Sequence, residues 1–258
     1  MTEFRLDRLT SPQAARLLET AAACVLPCGS LEQHGPHLPL ATDTIIAVGL
    51  AERLIARISP EIALCQLPSL AFGRSPEHMS FPGTVSISRH ALCEAVRSVC
   101  ASLAAHGVGH LLVMNAHGGN TAAIESMLRD ARDETGTIPL LFDVARCDAV
   151  RAEAEAGDWH AGRIETSLFR VLAGKNEATP DAGGNRATPE RASSGAVAPW
   201  RALATLSVPW RTEELSADGA IGDAAGADAP LGERIARGIV DEAADALRAV
   251  LGWTSEAT

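Results

Sequence analysis

The sequence lacks the features that would direct it to a nucleic acid or a membrane. Its 258 residues contain no run of basic residues and carry a formal net charge of −10, whereas phosphate binding needs clustered Lys and Arg. No stretch reaches the roughly 20 apolar residues of a membrane span, and the N-terminal MTEFRLDRLTSPQAARLL has no secretory apolar core. We therefore expect a cytoplasmic protein with neither a nucleic-acid partner nor a membrane partner.

The cysteines also lack the spacing of a common zinc or redox motif. None of the six forms a C-x-x-C pair, and the absence of a signal peptide favours a reducing compartment. Most lie in apolar strand or helix patterns, which predicts buried thiols. For Cys24 and Cys28, four residues apart in a strand-like run, metal binding is the alternative to core packing.

The order of apolar segments predicts an α/β fold with a mainly parallel sheet flanked by helices. With 47% hydrophobic residues, the chain can bury a substantial core in one domain, residues 1–258. Strand-like runs alternate with helical patterns, which is typical of a parallel sheet. The predicted strands are 24–29, 62–67, 109–115 and 138–143. The predicted helices are 11–22, 43–58, 88–106, 120–134 and a last one near 230–251.

A segment rich in Gly, Pro, Ala and Ser interrupts this alternation. Residues 175–199 are predicted to form a long loop or flap. Trp200 and Trp210 follow it, and they either line a pocket or interface or are buried in the core.

The densest group of candidate metal ligands lies in GSLEQHGPHLPLATD, residues 29–43. This segment leaves the carboxyl end of a predicted strand, where open α/β sheets bind ligands. Because residues two apart in an extended chain point the same way, Glu32 and His34 can face neighbouring metal positions. Asp43 is either a helix N-cap or a further ligand, and the crowded segment favours a ligand. His37 either orients a ligand or only packs.

Two later segments repeat this pattern. In NAHGGN, residues 115–120, His117 follows a strand-like run and is either a turn residue or a ligand; the adjacent glycines indicate a close approach of the backbone. In DWHAGRIETS, residues 158–167, a helix beginning near residue 161 would bring His160 and Glu165 to one pocket. The alternative for Glu165 is an exposed helix position.

Together the three segments resemble the creatininase family, also called creatinine amidohydrolases. The resemblance implies a single α/β domain, two divalent metal ions per subunit and commonly a homohexamer. Zinc and manganese are the usual metals, and iron is compatible with the same ligand types. The His-Gly-Gly-Asn loop places the chain nearer the mycofactocin precursor peptidase and formamide hydrolase members than creatininase itself.

Carried onto this sequence, the family pattern assigns the metal ligands. Glu32 and His117 would hold one ion and His34 the other, with Asp43 as the bridge. Creatininase itself has a Glu where this chain has Gly119, so the fifth ligand must come from elsewhere.

Glu165 is the replacement that we infer, beside His34 in the second site. Three carboxylates and two neutral imidazoles almost balance two divalent ions, which leaves room for one bridging hydroxide. His160 would then stabilise the tetrahedral intermediate or deliver a proton to the leaving nitrogen.

The substrate-side residues differ from those of creatininase. Gly118 replaces an aromatic residue and Trp159 replaces an acidic one, so we expect a substrate other than creatinine. A loop at residues 72–84 resembles the family's substrate loop. In it, Arg74, Ser75 and His78 are candidate substrate contacts, although an exposed loop position is the alternative for Arg74 and His78.

These assignments predict a dinuclear metal-dependent amidohydrolase that acts on a cyclic amide or a formamide through a metal-bridging hydroxide. The first alternative is a peptidase of the mycofactocin precursor type, which needs a more open groove. The alternative of another class is a metal-binding structural or regulatory subunit without turnover.

Overall fold

The computed structural model describes residues 3–59, 61–155, 157–173 and 209–256. The predicted flap at 175–199 and Trp200 lie outside the described residues.

Four parallel strands form the sheet, in the order β2-β1-β3-β4. This confirms the predicted α/β class. All six residues of the central strand β1 are buried, as expected where helices cover both faces of a parallel sheet. The strands are Ala23–Cys28 (β1), Leu64–Gln66 (β2), His110–Asn115 (β3) and Ile138–Asp143 (β4).

Helices follow the strands along the chain. In chain order they are Ser11–Thr20 (α1), Thr42–Ile58 (α2), Arg89–Ala104 (α3), Gly118–Glu125 (α4), Leu128–Thr135 (α5), Asp148–Arg151 (α6), Arg163–Leu172 (α7), Thr212–Leu215 (α8) and Ala229–Glu256 (α9). None of the helices formed by the described residues is long and apolar enough to cross a membrane.

Two helix predictions need correction. The helix predicted over 120–134 is two helices, because the Ser126 hydroxyl bonds the Ala123 carbonyl at 2.7 Å and Met127 turns into the core. The helix predicted to begin near residue 161 begins at Arg163, because Ala161 has a φ of +54° that no right-handed helix accepts.

The sheet separates two apolar layers. Along β1, Ala23 and Val25 face the layer of α2, α7 and α9, while Cys24 and Leu26 face the layer of α3 and α5. All six cysteines are free thiols, and Cys93 alone among them is not fully buried. The core interpretation of Cys24 and Cys28 is therefore correct.

The closest helix contact joins α7 to α9 at a glycine. A Cβ built on Gly232 would overlap the carbonyl group of Ser167, so the two helices touch through their backbones. This contact fixes α7, and with it the segment that carries His160 and Glu165.

We expect Gly232→Ala to lower the free energy of unfolding by about 1–3 kcal/mol, the usual cost of forcing extra volume into a packed contact. The matched control is Gly252→Ala in the same helix, where the new Cβ would meet nothing within 4 Å. Urea unfolding followed by circular dichroism measures both. Equal stability of the two variants would contradict the backbone contact.

Candidate metal centre

The predicted ligands converge at the carboxyl edge of the sheet. The segment after β1 supplies two of them, and the loop after β3 ends at His117, the N-cap residue of α4. Asp43 lies in the first turn of α2, where Ala41 is the N-cap, so Asp43 is not a capping residue. The first turn of α7 supplies Glu165. Four of the five side chains are buried, and Glu165 is 26% exposed.

Three of these side chains form the first ligand group, Glu32, Asp43 and His117. The Nδ1 atom of His117 lies 3.3 Å from Glu32 Oε2 and 3.2 Å from Asp43 Oδ2. Both carboxylate oxygens are buried and have no hydrogen-bond partner among the described residues. Buried carboxylates without a partner are costly, so this pair of oxygens fits a bound cation.

The second ligand group is His34, Asp43 and Glu165. The Nε2 atom of His34 lies 3.1 Å from Asp43 Oδ1 and 3.7 Å from Glu165 Oε2. Asp43 therefore turns one oxygen to each imidazole, as a bridging carboxylate would. Glu165 is held in place by the backbone N–H of Ala161, which donates to Oε2 at 2.6 Å.

Backbone carbonyls fix the tautomers of both imidazoles. His34 Nδ1 lies 3.1 Å from the Glu32 carbonyl, and His117 Nε2 lies 3.0 Å from the Arg74 carbonyl. Because a carbonyl only accepts, these ring nitrogens carry the protons, and the opposite nitrogens face the carboxylates as lone pairs. A ring-nitrogen lone pair and a carboxylate oxygen repel each other unless a metal cation or a second proton lies between them. This arrangement, with the outer nitrogen bonded to a carbonyl, is the usual one for a metal-binding histidine.

The electrostatics agree with this geometry. Burial opposes charge on His34 and His117, yet the facing carboxylates raise the pKa of each imidazole to about 10. Burial raises the pKa of Glu32 and of Glu165 above the usual range, whereas the two imidazoles hold the pKa of Asp43 low despite its burial. The cluster thus attracts positive charge, which divalent ions would supply in place of protons.

Gly119 cannot be replaced by a ligand-bearing residue without moving its neighbours. A Cβ at this position would overlap the Arg74 carbonyl and lie 2.8 Å from Glu77 Oε1. The loop that carries Arg74 and Glu77 therefore fills the space next to Gly119. Glu165 enters the cluster from α7, which agrees with its assignment as the replacement ligand.

His160 and His78 both lie beside Glu32. His160 Nδ1 is 3.6 Å and His78 Nε2 is 3.4 Å from the same oxygen, Glu32 Oε1. Both imidazoles are buried. The burial of His78 rules out the exposed loop position. His78 lies against the candidate ligand Glu32 and not on the substrate-side surface.

The remaining predicted residues have separate positions. The Ser75 hydroxyl is buried, 3.2 Å from His117 Nε2, so it contacts a ligand. His37 Nε2 lies 3.1 Å from the hydroxyl of Thr166, the residue after Glu165. Gly118 faces open space.

Two cavities adjoin the cluster. The first, of about 270 Å³, reaches His160 and Glu165 and is lined mainly by apolar side chains and by Trp159, which is 40% exposed. The second, of about 480 Å³, is lined by Arg74, Trp210 and four further residues. Trp159 and Trp210 approach each other with ring centroids 6.4 Å apart, between the two cavities.

Sequence reasoning gave no role to Gln33, although it lies between two predicted ligands. Its side-chain amide contacts His78, His160 and the carbonyl of Gly219. No short-range pattern identifies these contacts, because the partners lie between 45 and 186 residues away.

Buried carboxylates and imidazoles at the carboxyl edge of a parallel sheet define an α/β protein with a candidate metal centre. More specifically, the chain belongs to the creatininase family, since the family model described as creatinine amidohydrolase matches residues 7–247. The family resemblance of the three sequence segments is thereby confirmed.

Individual relatives agree with this membership. A mycofactocin precursor peptide peptidase of Mycobacterium tuberculosis is 34% identical over 257 residues, covering 96% of this chain and 92% of the relative. Two creatininase structures, described as a manganese form and as a Zn-Zn form of a mutant, align with a TM-score of 0.79 over 97% of this chain and 99% of theirs. At 24% identity these two structures show the fold.

We expect Glu165→Gln to lower the bound zinc or manganese from about two ions per chain, the content of a two-metal site, to about one. The amide removes the negative charge that faces His34 but leaves the first ligand group intact. Elemental mass spectrometry after dialysis measures the content. Glu77→Gln is the matched control, because this carboxylate is nearby but belongs to neither ligand group. Two retained ions in Glu165→Gln would remove Glu165 from the ligand set.

Metal binding should release about three protons near pH 7. His34 and His117, with pKa values of about 10 without metal, each give up one, and Glu32 and Glu165, with pKa values of about 7, together give up about one more. Affinity should therefore rise with pH. Titration calorimetry in buffers of different ionisation enthalpy counts the protons, and His34→Ala should reduce the count by about one. Binding without proton release would contradict the charge state inferred for the cluster.

Proposed function

We propose that this protein is a metal-dependent hydrolase that cleaves an amide bond in a short peptide. The observation that carries the proposal is the pair of imidazoles, His34 and His117, whose lone pairs face carboxylates at two adjoining positions. The residues that would hold two divalent ions are Glu32, His34, Asp43, His117 and Glu165. When bound, such ions lower the pKa of water and polarise the carbonyl of an amide.

The chain supplies the proton chemistry through His160. Its Nε2 donates to the Gln33 carbonyl at 2.7 Å, which leaves Nδ1 as a lone pair next to the ligand groups. Burial, together with His34 and His78, holds the pKa of His160 well below its usual value, so this imidazole is neutral. A neutral imidazole with a free Nδ1 can take a proton and pass it to the leaving nitrogen. Glu165 is assigned as a ligand, and its carboxyl group can take part in the same proton transfer.

A peptide substrate is favoured over a small ring for two reasons. The relative that matches 96% of this chain is named for a peptide substrate. Two cavities also lie in this part of the molecule, a mainly apolar one that reaches His160 and Glu165 and one lined by Arg74 and Arg211, so there is room for more of a peptide than the cleaved bond. A creatinine-sized amide would leave most of this space empty.

The second candidate is hydrolysis of a cyclic amide or a formamide, and the family's description names creatinine, a cyclic amide. A metal-binding subunit without turnover is the alternative of another class. His160 is neutral and keeps a free nitrogen beside the cluster. Because no structural role requires this free nitrogen, it argues against a subunit without turnover.

The direct test is turnover by protein loaded with zinc or with manganese. We expect cleavage within a panel of short synthetic peptides followed by mass spectrometry, with less activity on cyclic amides and formamides. Turnover of the small amides alone would select the second candidate. No turnover of any amide by fully loaded protein would overturn the proposed function.

His160→Ala should lower kcat by about 10²–10⁴-fold, the usual contribution of a positioned general acid or base, while the metal content stays that of the parent protein. His106→Ala is the matched control, because His106 is exposed and outside the cluster. Steady-state kinetics with elemental analysis of each variant provides the measurement. Full activity of His160→Ala would assign proton transfer to another group.

A further inference from the structure

We propose that Gln33 is a positioning residue that turns an N–H of His78 toward Glu32 and leaves His160 with a free nitrogen beside it. Its side chain acts on His78, and its backbone carbonyl acts on His160. The inference deepens the proposed function and rests on it, because the two imidazoles flank a candidate metal ligand.

The orientation of the Gln33 amide is fixed by two backbone groups. The N–H of Gly35 donates to Oε1 at 2.9 Å, and Nε2 donates to the carbonyl of Gly219 at 3.0 Å. An N–H cannot accept and a carbonyl cannot donate, so the oxygen and nitrogen of the amide cannot be exchanged. The second N–H of the amide is therefore available only as a donor.

That donor sets the tautomer of His78. Gln33 Nε2 lies 2.7 Å from His78 Nδ1 and 3.2 Å from His160 Nε2. Because His160 Nε2 donates to the Gln33 carbonyl, it cannot accept, so His78 Nδ1 accepts and its ring proton is on Nε2. Nε2 is the atom that lies 3.4 Å from Glu32 Oε1. The Thr212 hydroxyl lies 2.7 Å from the same Nδ1 and 2.9 Å from the Glu77 carbonyl, and in this tautomer its single proton points to Nδ1. His78 thus presents an N–H to Glu32.

The opposite tautomer holds at His160. Its Nε2 donates to the Gln33 carbonyl, and its free Nδ1 lies 3.6 Å from the same Glu32 oxygen. The two rings lie 4.2 Å apart between centroids. The N–H of His78 and the free Nδ1 of His160 therefore both face Oε1 of Glu32, while Oε2 faces the first ligand group, and His160 keeps the nitrogen that the proposed proton transfer needs.

The surrounding chain is fitted to this amide. Gln33 is 5% exposed, and a Cβ on Gly219 would overlap its amide group. Gly219 has a φ of +93°, in the region that favours glycine. The Ala220 N–H, in the same peptide unit as the Gly219 carbonyl, donates to Asp218 Oδ1 at 3.3 Å, and the Gly219 N–H donates to the Ser216 hydroxyl at 3.1 Å.

The experiment compares the zinc-loaded parent protein with Gln33→Glu by NMR of ¹⁵N-labelled histidine, with the His78 signals identified from a His78→Asn variant. In the parent we expect a bare Nδ1 and a protonated Nε2. The ionised carboxylate that Gln33→Glu introduces only accepts, so in this variant the His78 Nδ1 signal should move to the range of an N–H. The His160 signals should stay, because its partner is the unchanged backbone carbonyl.

Two further readouts separate positioning from a merely structural role. Zinc affinity and kcat should each fall by about 10- to 100-fold in Gln33→Glu, as for other outer partners of metal ligands, with KM changed less than kcat. Thr212→Val is the matched control: it removes the other contact of His78 Nδ1 and should leave the tautomer unchanged.

If Gln33→Glu does not fold, Gly219→Ala is the second variant, because its new Cβ moves the Gln33 amide without changing its chemistry. In this variant the signals of a bare Nδ1 and a protonated Nε2 on His78 should be reduced, and zinc affinity should fall. A bare Nε2 on His78 in the parent, or an unchanged His78 tautomer with unchanged zinc affinity in the variants, would overturn the inference. The NMR and zinc readouts need no substrate, so they decide the matter even if the proposed amide hydrolysis fails its own test.

Discussion

The structure depends on one constraint: buried negative charge that must be balanced by cations. Asp43 and Glu32 are almost fully buried, and His34 and His117 each turn one ring nitrogen to a backbone carbonyl and the other to these carboxylates, where it binds a second proton or a metal ion. Burying carboxylates without a partner costs several kcal/mol each. The cluster is therefore stable only with cations between its members, whether protons or metal ions, and the backbone carbonyls that fix the tautomers favour metal ions.

The fold meets this constraint by bringing three chain segments to one edge of the sheet. Strands β1 and β3 are neighbours, so the loops after them start side by side. Asn120 joins them to the loop after β2: its Nδ2 donates to the Gly29 carbonyl at 3.0 Å, and its Oδ1 accepts from the Arg74 N–H at 2.8 Å. The Arg74 carbonyl then orients His117. A single buried amide thereby couples the sheet edge to the tautomer of a ligand.

The features that depend only on residues close together in the chain could be predicted from the sequence pattern. The strands, the α/β class and the ligand-rich segments could be predicted because apolar runs lead directly into them, and the ligands within each segment share a short stretch of chain. What could not be predicted depends on distant partners. The role of Gln33 requires Gly219, 186 residues away, and the late start of α7 requires the positive φ of Ala161, an alanine with no sequence signal for it.

The position of Glu165, the third carboxylate and fifth candidate ligand, follows from the same packing. With no side chain at Gly119, the loop that carries Ser75 and His78 can approach the cluster, and both residues contact ligands there. Because Gly119 supplies no carboxylate, that negative charge must come from another element. The N-terminal turn of α7 is suited to supply it, since its free N–H groups favour a carboxylate and the Ala161 N–H holds Glu165 directly. The candidate ligand set thus keeps three carboxylates although the loop at Gly119 supplies none of them.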